Sequence, residues 1–296
     1  MLNYLISGTR HLFGLQRPGR RLAVWPDDVQ LASYPKSGNT WTRFLIANLM
    51  YPDRAVGFKN IHELIVDPDA TTKRQFDAAP RPRIVKTHLS FDPRFRRVIY
   101  IVRDARDVAV SQYHYQRKIR RIDDQHPIEQ FVADFITGKG IREIGSWGEN
   151  VASWLATRRD DRSFLLVRYE DLLADTSGQL ARIGHFLGIE VTPERLQQAQ
   201  ARSSVENMRR SEKEHGQHSG LLKGSRTDIS FVRAAKSGGW RKDLPEPLAA
   251  QIEAAWGHLL ALLGYELLYV PNQPATLRFS AALFGEWADM PAVLCS

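Results

Sequence analysis

The sequence predicts an α/β protein with a parallel central sheet and helices on both faces of that sheet. Apolar runs alternate with helical patterns from Val29 to about Gly264, which is the order that parallel strands and their connecting helices produce. Two of the runs, "VIYIV" and "FLLV", are apolar at every position, as strands buried on both faces are. The pattern therefore favours a sheet that is covered from both sides.

Each strand and helix of this prediction comes from its own stretch of sequence. The predicted strands are 29–33, 83–88, 96–103 and 163–171. Helical patterns occupy 40–50, about 59–66, 105–117, 127–137, 147–158, 177–187, 193–201 and about 247–263. Two charged stretches, 117–127 and 211–230, are predicted to be irregular. We expect one domain over 1–270, followed by a tail, 271–296, whose structure the sequence does not indicate.

Composition limits the kinds of partner that the protein can have. The chain has 296 residues and a net charge of +8, from 41 basic and 33 acidic residues. This charge suits a polyanionic ligand, but it does not distinguish between nucleic acid, a membrane surface and a small phosphorylated molecule.

The only cysteine, Cys295, excludes an intramolecular disulfide and a cysteine-based zinc site. The start, "MLNYLISGTRHLFGL", is too short and interrupted for a signal peptide or membrane span, so we expect a cytoplasmic protein.

The stretch "SYPKSGNTW" joins the first predicted strand to the first predicted helix. Backbone N–H groups at a helix start have no partner within the helix and lie at the positive end of its dipole, so residues 36–41 favour a bound anion. Gly38 allows close approach of the backbone, Asn39 and Thr40 offer side-chain hydrogen bonds, and Lys36 adds a full charge. An ordinary turn with a solvated lysine is the alternative. The order of lysine and glycine differs from that of the GxxxxGK[ST] phosphate loop.

Two further strands end in polar residues. "RIVKTHLS" carries Lys86 and His88, whose side chains project to one face of the strand. "YIVRDARDVAVSQYHY" places Arg103 at a strand end and Ser111 two turns into the next helix. Taken singly, these residues have structural explanations: a strand-end lysine, a hydrogen-bonded histidine, an ion pair with Asp104 and a backbone-bonded serine. Their joint position at one sheet edge, where α/β folds bind ligands, favours a functional site.

Four ordered motifs resemble those of the cytosolic-type sulfotransferases, which transfer a sulfuryl group from 3′-phosphoadenosine 5′-phosphosulfate (PAPS). They are YPKSGNTW at 34–41, KTHLS at 86–90, RDARDVAVS at 103–111 and RYEDL at 168–172. The resemblance covers roughly 29–263. It implies the P-loop-kinase-like sulfotransferase fold and the transfer of a sulfuryl group from PAPS to a hydroxyl or amine.

The resemblance also implies roles for individual residues. Lys36 is expected to bridge the leaving phosphate and the sulfuryl group, Lys86 to be its companion cation, and His88 to take the proton of the acceptor. Arg103 and Ser111 are expected to bind the 3′-phosphate. The other expected nucleotide contacts are Ser37, Gly38, Asn39, Thr40, Trp41, Tyr169, Ser203, Arg233, Ala234 and Ala235. Sulfuryl transfer needs mainly positioning and charge stabilisation, and no acidic cluster stands beside the turn for magnesium, so no metal is expected.

This chain departs from the family pattern in three places. The motif FxRKGxxGDW reads FVRAAKSGGW, in which Ala234 and Ala235 replace a lysine and a glycine. One charge is lost there, and Lys236 is close enough in sequence to replace it. Val205 stands where the family has an aromatic residue at the nucleotide. The dimer motif KxxxTVxxxE is not matched, so the sequence does not predict an oligomeric state.

Two other functions fit parts of the sequence. A nucleotide-dependent kinase would share the fold, but the GK[ST] order and an aspartate suited to magnesium are missing. A non-catalytic nucleotide or polyanion binder would use the basic run "QRKIRR", which lacks interleaved aromatic residues, so no nucleic acid partner is expected. "EKEHGQH" offers too few ligands for a metal site. By the resemblance, 117–127 and 211–230 act as lids, and the acceptor is a small molecule or a carbohydrate.

Overall fold

Four parallel strands form the centre of the computed structural model, which describes residues 23–141, 144–219, 222–233 and 236–269. The strands are β1 (Val29–Ser33), β2 (Ile84–Thr87), β3 (Arg97–Val102) and β4 (Phe164–Arg168), in the spatial order β2-β1-β3-β4. Leu31 of β1 pairs with Lys86 on one side and with Ile99 on the other. The predicted α/β class with a parallel sheet is confirmed.

Helices connect the strands and lie on both faces of the sheet. In chain order they are α1 (Asn39–Met50), α2 (Ile61–Leu64), α3 (Lys73–Asp77), α4 (Ala105–Lys118), α5 (Ile128–Ile136), α6 (Trp147–Arg158), α7 (Tyr169–Ala174), α8 (Thr176–Leu187), α9 (Pro193–Arg202), α10 (Val205–His215), α11 (Trp240–Asp243) and α12 (Glu246–Leu262). Short 3₁₀ turns occupy Lys139–Ile141 and Gly216–His218. No helix in the described part of the chain is both long and apolar enough to cross a membrane.

Two hydrophobic cores lie on opposite faces of the sheet. Val98, Tyr100 and Val102 of β3 face the core formed with α4, α5, α6 and α12. Ile99 and Ile101 face the other core, which α1, α8, α9 and α10 complete. Burying each such side chain contributes roughly 1.5–3 kcal/mol, so β3 is stabilised from both sides. The continuous apolar composition of this strand follows from that position.

The sheet topology brings the motif residues together. After β1 the chain forms β2 on one side of it and then crosses to form β3 on the other side. In a parallel sheet all strands end at the same edge, and ligands bind where the strand order changes direction. The turn after β1, His88 after β2, Arg103 after β3 and Tyr169 after β4 therefore all lie at that edge.

Two predicted boundaries are wrong for reasons of local chemistry. The last strand ends at Arg168 rather than residue 171, and α7 begins at once. Glu170 and Asp171 occupy the first turn of this helix, where negative charge is favourable. The stretch predicted as irregular from 211 begins inside α10: Ser204 caps the start of that helix by accepting a hydrogen bond from the N–H of Asn207, and the helix continues to His215.

A third difference concerns the helix predicted over 59–66. Only Ile61–Leu64 is helical, because the chain then pairs with β2. The N–H of Val66 donates to the carbonyl of Ile84, and the N–H of Lys86 donates to the carbonyl of Val66, both at 2.8 Å. This pairing is non-local and leaves no trace in the helical period. The helices α3, α7, α10 and α11 were not predicted.

Candidate active site

A cavity of about 260 Å³ opens at the carboxyl edge of the sheet. Most of the residues that the sequence singled out line it: Lys36, Gly38, Asn39, Thr40, Trp41, Lys86, His88, Arg103, Ser111, Tyr169 and Arg233. The cavity lining does not include Ser37 or Ser203. Ala234 and Ala235 lie outside the described residues. We call the part around Lys36, Lys86 and His88 the transfer end, and the part around Arg103, Ser111, Arg233 and Lys236 the nucleotide end.

The turn between β1 and α1 requires glycine at position 38 for two reasons. Gly38 has φ +98°, a left-handed conformation that side chains with a Cβ rarely adopt. A Cβ at this position would also lie 2.5 Å from Cδ2 of Tyr169, which is closer than atoms can approach. Lys36 itself has φ 70°, so the turn holds the lysine in a strained conformation. The N–H groups of the first turn of α1 lie at the positive end of the helix, and Asn39, Thr40 and Trp41 of that turn line the cavity.

Asn39 directs its amide into the protein. Its Nδ2 donates to the carbonyl of Leu31 at 3.2 Å and to the hydroxyl of Ser33 at 3.2 Å. The side chain therefore ties the start of α1 to the end of β1. Within the described residues, neither Oδ1 of Asn39 nor the buried Oγ of Ser37 has a hydrogen-bond partner.

Lys36 reaches across the transfer end towards two aromatic rings. Its Nζ lies 4.0 Å from the ring centroid of Phe231 and 4.5 Å from that of Tyr115. Across the described part of the chain it makes no hydrogen bond or ion pair with a carboxylate. Burial, together with the charges of Arg103 and Arg233, lowers the pKa of Lys36 to about 7. Because a bound anion would stabilise the ammonium form, Lys36 is suited to hold one.

His88 is fixed in a single neutral form by β1. Its Nδ1 lies 2.8 Å from the carbonyl oxygen of Ser33, which can only accept a hydrogen bond. Nδ1 therefore carries the proton, and Nε2 is left with a free lone pair. Burial, followed by the charge of Lys86, lowers the pKa of His88 to about 3. The imidazole is therefore neutral near pH 7 and can accept a proton through Nε2.

Lys86 differs from Lys36 because it has carboxylate partners. Its Nζ lies 2.9 Å from Oδ2 of Asp69 and 3.4 Å from Oδ1 of Asp67. Burial alone would lower the pKa of Lys86, but the two carboxylates outweigh it and raise the pKa above its ordinary value. The transfer end thus holds one lysine that is always charged and one whose charge depends on its surroundings.

At the nucleotide end, Arg103 connects three parts of the chain. Its guanidinium donates to the carbonyl of Lys36 at 3.3 Å and to the carbonyl of Lys236 at 3.0 Å. It also lies 4.4 Å from the ring centroid of Tyr169 and 3.7 Å from a carboxylate oxygen of Asp107. Its buried Nε has no partner among the described residues, so the group retains a donor for a ligand.

The loop before α11 completes the nucleotide end. Asp107, in the first turn of α4, accepts hydrogen bonds from the N–H groups of Gly238 at 2.7 Å and Trp240 at 3.0 Å. This holds the loop beside Ser111, which lies one turn further along the same helix. Arg233 and Lys236 line the cavity from this loop. Four groups that can bind phosphate, three of them cationic, therefore surround this end.

Trp41 and Tyr169 form an aromatic wall of the cavity. Their rings meet edge to face with centroids 5.9 Å apart. The indole N–H of Trp41 donates to the carbonyl of Ser203 at 3.1 Å, while the hydroxyl of Ser203 accepts a bond from Asn48 at 3.0 Å. Ser203 therefore supports the wall through its backbone, and its side chain does not face the cavity.

Several lining residues were not found by sequence reasoning. They include Arg43, Asp67, Asp107, Tyr115 and Phe231. Asp107, Tyr115 and Phe231 lie within quoted stretches, and a closer count of helix turns from Arg103 would have indicated the first two, which lie in α4. Arg43 and Asp67 lie in no motif, and their position depends on contacts between distant parts of the chain.

The comparisons with known proteins agree with this geometry. The sulfotransferase domain family matches residues 26–264, most of the chain and the whole described sheet. The chain belongs to the sulfotransferase family. It is 28% identical to human sulfotransferase 1C2 over 232 residues, which cover 73% of this chain and 77% of that protein. It is 29% identical to rat sulfotransferase 2A1 over 247 residues, with coverages of 78% and 85%.

Solved structures show the same fold. Mouse sulfotransferase SULT7A1, complexed with 3′-phosphoadenosine 5′-phosphate (PAP), has a TM-score of 0.66 at 24% identity and covers 83% of this chain and 89% of its own. Retinol dehydratase, in complex with androsterone and PAP, has a TM-score of 0.65 at 24% identity and covers 86% of each chain. The sulfotransferase fold and PAPS-dependent sulfuryl transfer, both expected from the motifs, are confirmed. The kinase and non-catalytic alternatives are set aside.

Proposed function

We propose that this chain transfers the sulfuryl group of PAPS to a hydroxyl or amine of a small-molecule or carbohydrate acceptor, with His88 as the general base. The observation that carries the proposal is the hydrogen bond from Nδ1 of His88 to the carbonyl of Ser33 at 2.8 Å. It leaves Nε2 unprotonated in the same cavity as the turn and the two lysines. His88 would take the proton of the acceptor while the acceptor atom forms its bond to sulfur.

The two lysines supply the charge that this transfer needs. When bound, PAPS provides a sulfuryl group on a phosphate leaving group. Lys36 would stabilise the negative charge that develops on that phosphate, together with the N–H groups of the turn. Lys86, which its carboxylate partners keep charged, would bind the sulfonate oxygens. Sulfuryl transfer requires little more from the protein than such positioning and charge stabilisation.

The nucleotide end would bind the 3′-phosphate. Arg103 has a free buried donor, Ser111 has a hydroxyl on the adjacent helix turn, and Lys236 lines the same end. Lys236 would replace the charge that the family pattern has at position 234. The wall formed by Trp41 and Tyr169 would contact the adenine.

The acceptor is proposed from the relatives and from the cavity. Structures of retinol dehydratase contain androsterone or retinol, both small alcohols. The aromatic rings of Tyr115 and Phe231 beside Lys36 would suit an acceptor with an apolar body. The cytoplasmic location and the absence of a metal stay predictions from the sequence.

Radiolabelled PAPS tests the proposal with a panel of acceptors: 2-naphthol, a steroid alcohol and a monosaccharide. The matched variant is His88→Asn, whose amide can still donate to the carbonyl of Ser33 but cannot act as a base. The proposal predicts labelled product with the wild type and almost none with the variant, while both bind PAP equally. Equal turnover by the variant would contradict the role of His88. A wild type that binds PAP but sulfates none of the panel would contradict the proposed acceptor class.

A further inference from the structure

Asp67 lies behind the transfer end and belongs to none of the motifs. Its side chain is only 1% exposed, yet it lines the cavity. One carboxylate oxygen lies 3.1 Å from Nη1 of Arg43 and 3.5 Å from Nδ1 of His62, and the other lies 3.4 Å from Nζ of Lys86. A buried carboxylate with two full cationic partners is stable only while both partners stay in place.

We propose that Asp67 is a positioning residue, which holds the ammonium group of Lys86 at the transfer end and is itself held there by Arg43. The inference rests on the sulfuryl transfer proposed above. Asp67 does not touch the reacting atoms in this proposal; it influences the reaction only by positioning Lys86.

Arg43 gives Asp67 a rigid anchor. It is 1% exposed and lies in α1, the helix that begins at the anion-binding turn. Besides its bond to Asp67, it donates to the carbonyl of Ile65 at 3.0 Å and to that of Ile61 at 3.3 Å. The segment carrying Asp67 is thus bound to the same helix that presents the turn. A shift of Asp67 would require breaking several buried hydrogen bonds at once.

Main-chain pairing also fixes the position of Asp67 relative to Lys86. Val66 pairs with β2 through hydrogen bonds to Ile84 and Lys86, both at 2.8 Å. Asp67 follows Val66 directly, so it is held beside Lys86 by main-chain pairing as well as by Arg43. The position of the ammonium group is therefore set by a buried unit formed from α1, β2 and the segment before α3.

Asp69 provides a natural contrast with Asp67. It is the nearer partner of Lys86, at 2.9 Å, but its side chain is 76% exposed. An exposed carboxylate is well solvated and gives up an ion pair at little cost, whereas a buried one does not. When an anion enters the site, Lys86 can release Asp69 and keep Asp67. Asp67 therefore acts as the permanent partner and Asp69 as an exchangeable one.

The pKa of Asp67 agrees with this arrangement. Burial alone would raise the pKa of Asp67, but Lys86 and Arg43 outweigh it and hold the pKa well below its usual range. The charged or titratable groups that influence Lys86 include Asp67 and Asp69 from one segment, Arg43 from α1 and Tyr115 from α4, and those that influence His88 include Lys86, Asp67 and Asp69. Loss of the Asp67 charge would leave an ammonium and a guanidinium close together without their common partner.

The first test measures kcat, KM for PAPS and PAP affinity for Asp67→Asn, Asp69→Asn and the charge-matched control Asp77→Asn, with 2-naphthol as acceptor. Asp77 is exposed and pairs with Lys73, away from the cavity. We expect Asp67→Asn to lower kcat by about 10²-fold, because displacement of a positioned group by about 1 Å has an effect of this size. Asp69→Asn should lower kcat by no more than about threefold, because an exposed carboxylate contributes little, and Asp77→Asn should leave kcat unchanged.

The second test is a double-mutant cycle with Lys86→Met. If Asp67 acts through Lys86, adding Asp67→Asn to Lys86→Met should change kcat by less than about twofold. If Asp67→Asn lowered kcat by the same factor in the wild type and in Lys86→Met, the inference would be overturned. Loss of kcat in Lys86→Met with an unaffected Asp67→Asn would overturn it too, while leaving the proposed function intact. An unaffected Lys86→Met would instead contradict the role proposed for Lys86.

A third measurement needs neither turnover nor a folded Asp67→Asn variant. NMR of wild-type protein with ¹³C-labelled lysine, assigned with Lys86→Arg and Lys36→Arg, follows the protonation of both side chains. We expect Lys36 to titrate near pH 7 and Lys86 to titrate above its ordinary value. Asp67→Glu, which keeps the charge, should keep the Lys86 titration high. A Lys86 titration below the ordinary value in the wild type would overturn the inference.

Discussion

The two ends of the cavity are built in different ways. The transfer end takes its groups from the turn after β1 and from β2, and buried hydrogen bonds to Ser33, Asp67 and Arg43 fix its geometry. The nucleotide end takes Arg233 and Lys236 from a loop, which the carboxylate of Asp107 holds through two N–H groups. The family motifs are intact at the transfer end, whereas at the nucleotide end the motif with Arg103 and Ser111 is intact and the one at 231–240 is altered. Groups that act on reacting atoms tolerate little displacement, whereas charges that bind a phosphate can come from neighbouring positions.

The largest expected effect is at the transfer end. His88→Asn should lower kcat by ~10²–10⁴, the usual contribution of a positioned general base, because the amide has no basic nitrogen. The affinity for PAP should stay within about twofold of the wild type, since the nucleotide end is unchanged. Steady-state kinetics with labelled PAPS and calorimetric titration with PAP measure the two quantities. A variant that loses PAP affinity as much as kcat would contradict the separation of the two ends.

At the nucleotide end, Arg103→Ala should weaken PAP binding by about 2 kcal/mol, or roughly 30-fold, through the loss of charged hydrogen bonds to the 3′-phosphate. AMP, which has no 3′-phosphate, should bind both proteins with affinities that differ by less than about threefold. Calorimetry with both nucleotides measures this difference. Arg103→Lys serves as the control, because it keeps the charge and loses the paired donors. Its affinity for PAP should lie between those of the wild type and Arg103→Ala. An equal loss for AMP would mean that Arg103 acts only on the fold of the turn.

The charge of Lys36 predicts a pH dependence of binding. Below its pKa of about 7 the free protein already carries the ammonium group, and above it the group must take up a proton when the anion binds. PAP affinity should therefore fall as the pH rises from 7 to 9, by at most about tenfold per pH unit. Titration in buffers of different ionisation enthalpy should show proton uptake at pH 8. Lys36→Arg should abolish both effects, because arginine stays charged. Constant affinity over this range would contradict a lysine near neutrality in the free protein.

The smallest expected effect concerns the altered motif. The double substitution Ala234→Lys with Ala235→Gly restores the family pattern and should tighten PAP binding by about 1 kcal/mol, roughly fivefold, the upper range for one exposed charge. Lys236→Ala should weaken binding by a similar factor if Lys236 has replaced the lost lysine. In the restored background, Lys236→Ala should have little further effect. Equal losses in both backgrounds would show that the two lysines act independently.

The sequence predicted those features that depend on local patterns. Apolar runs that alternate with helical patterns located all four described strands, and the continuous apolar run of β3 reflects its burial on both faces. The motifs predicted that Lys36, Lys86, His88 and Arg103 would meet, because parallel strands end at one edge. The nucleotide contact expected of Ser203 stays a prediction: its hydroxyl accepts a hydrogen bond from Asn48, and Ser203 is not among the residues that line the cavity.

Features that depend on distant contacts were not predictable. Asp67 lies 19 positions before Lys86, and their contact exists only because Val66 pairs with β2. The same pairing shortened the helix predicted over 59–66. The early end of β4 at Arg168 is likewise a competition between strand and helix start, in which the acidic residues after Tyr169 favour the helix. Periodicity contains no information on any of these three outcomes.

The central claim is that this chain is built to bind the PAPS nucleotide by its 3′-phosphate. Calorimetric titration of the purified wild-type protein with PAP, and separately with AMP, tests it most directly. We predict that PAP binds at least about 30-fold more tightly, the equivalent of one set of charged hydrogen bonds at about 2 kcal/mol. Equal affinity for the two nucleotides would contradict the assignment of Arg103, Ser111 and Lys236 to the 3′-phosphate.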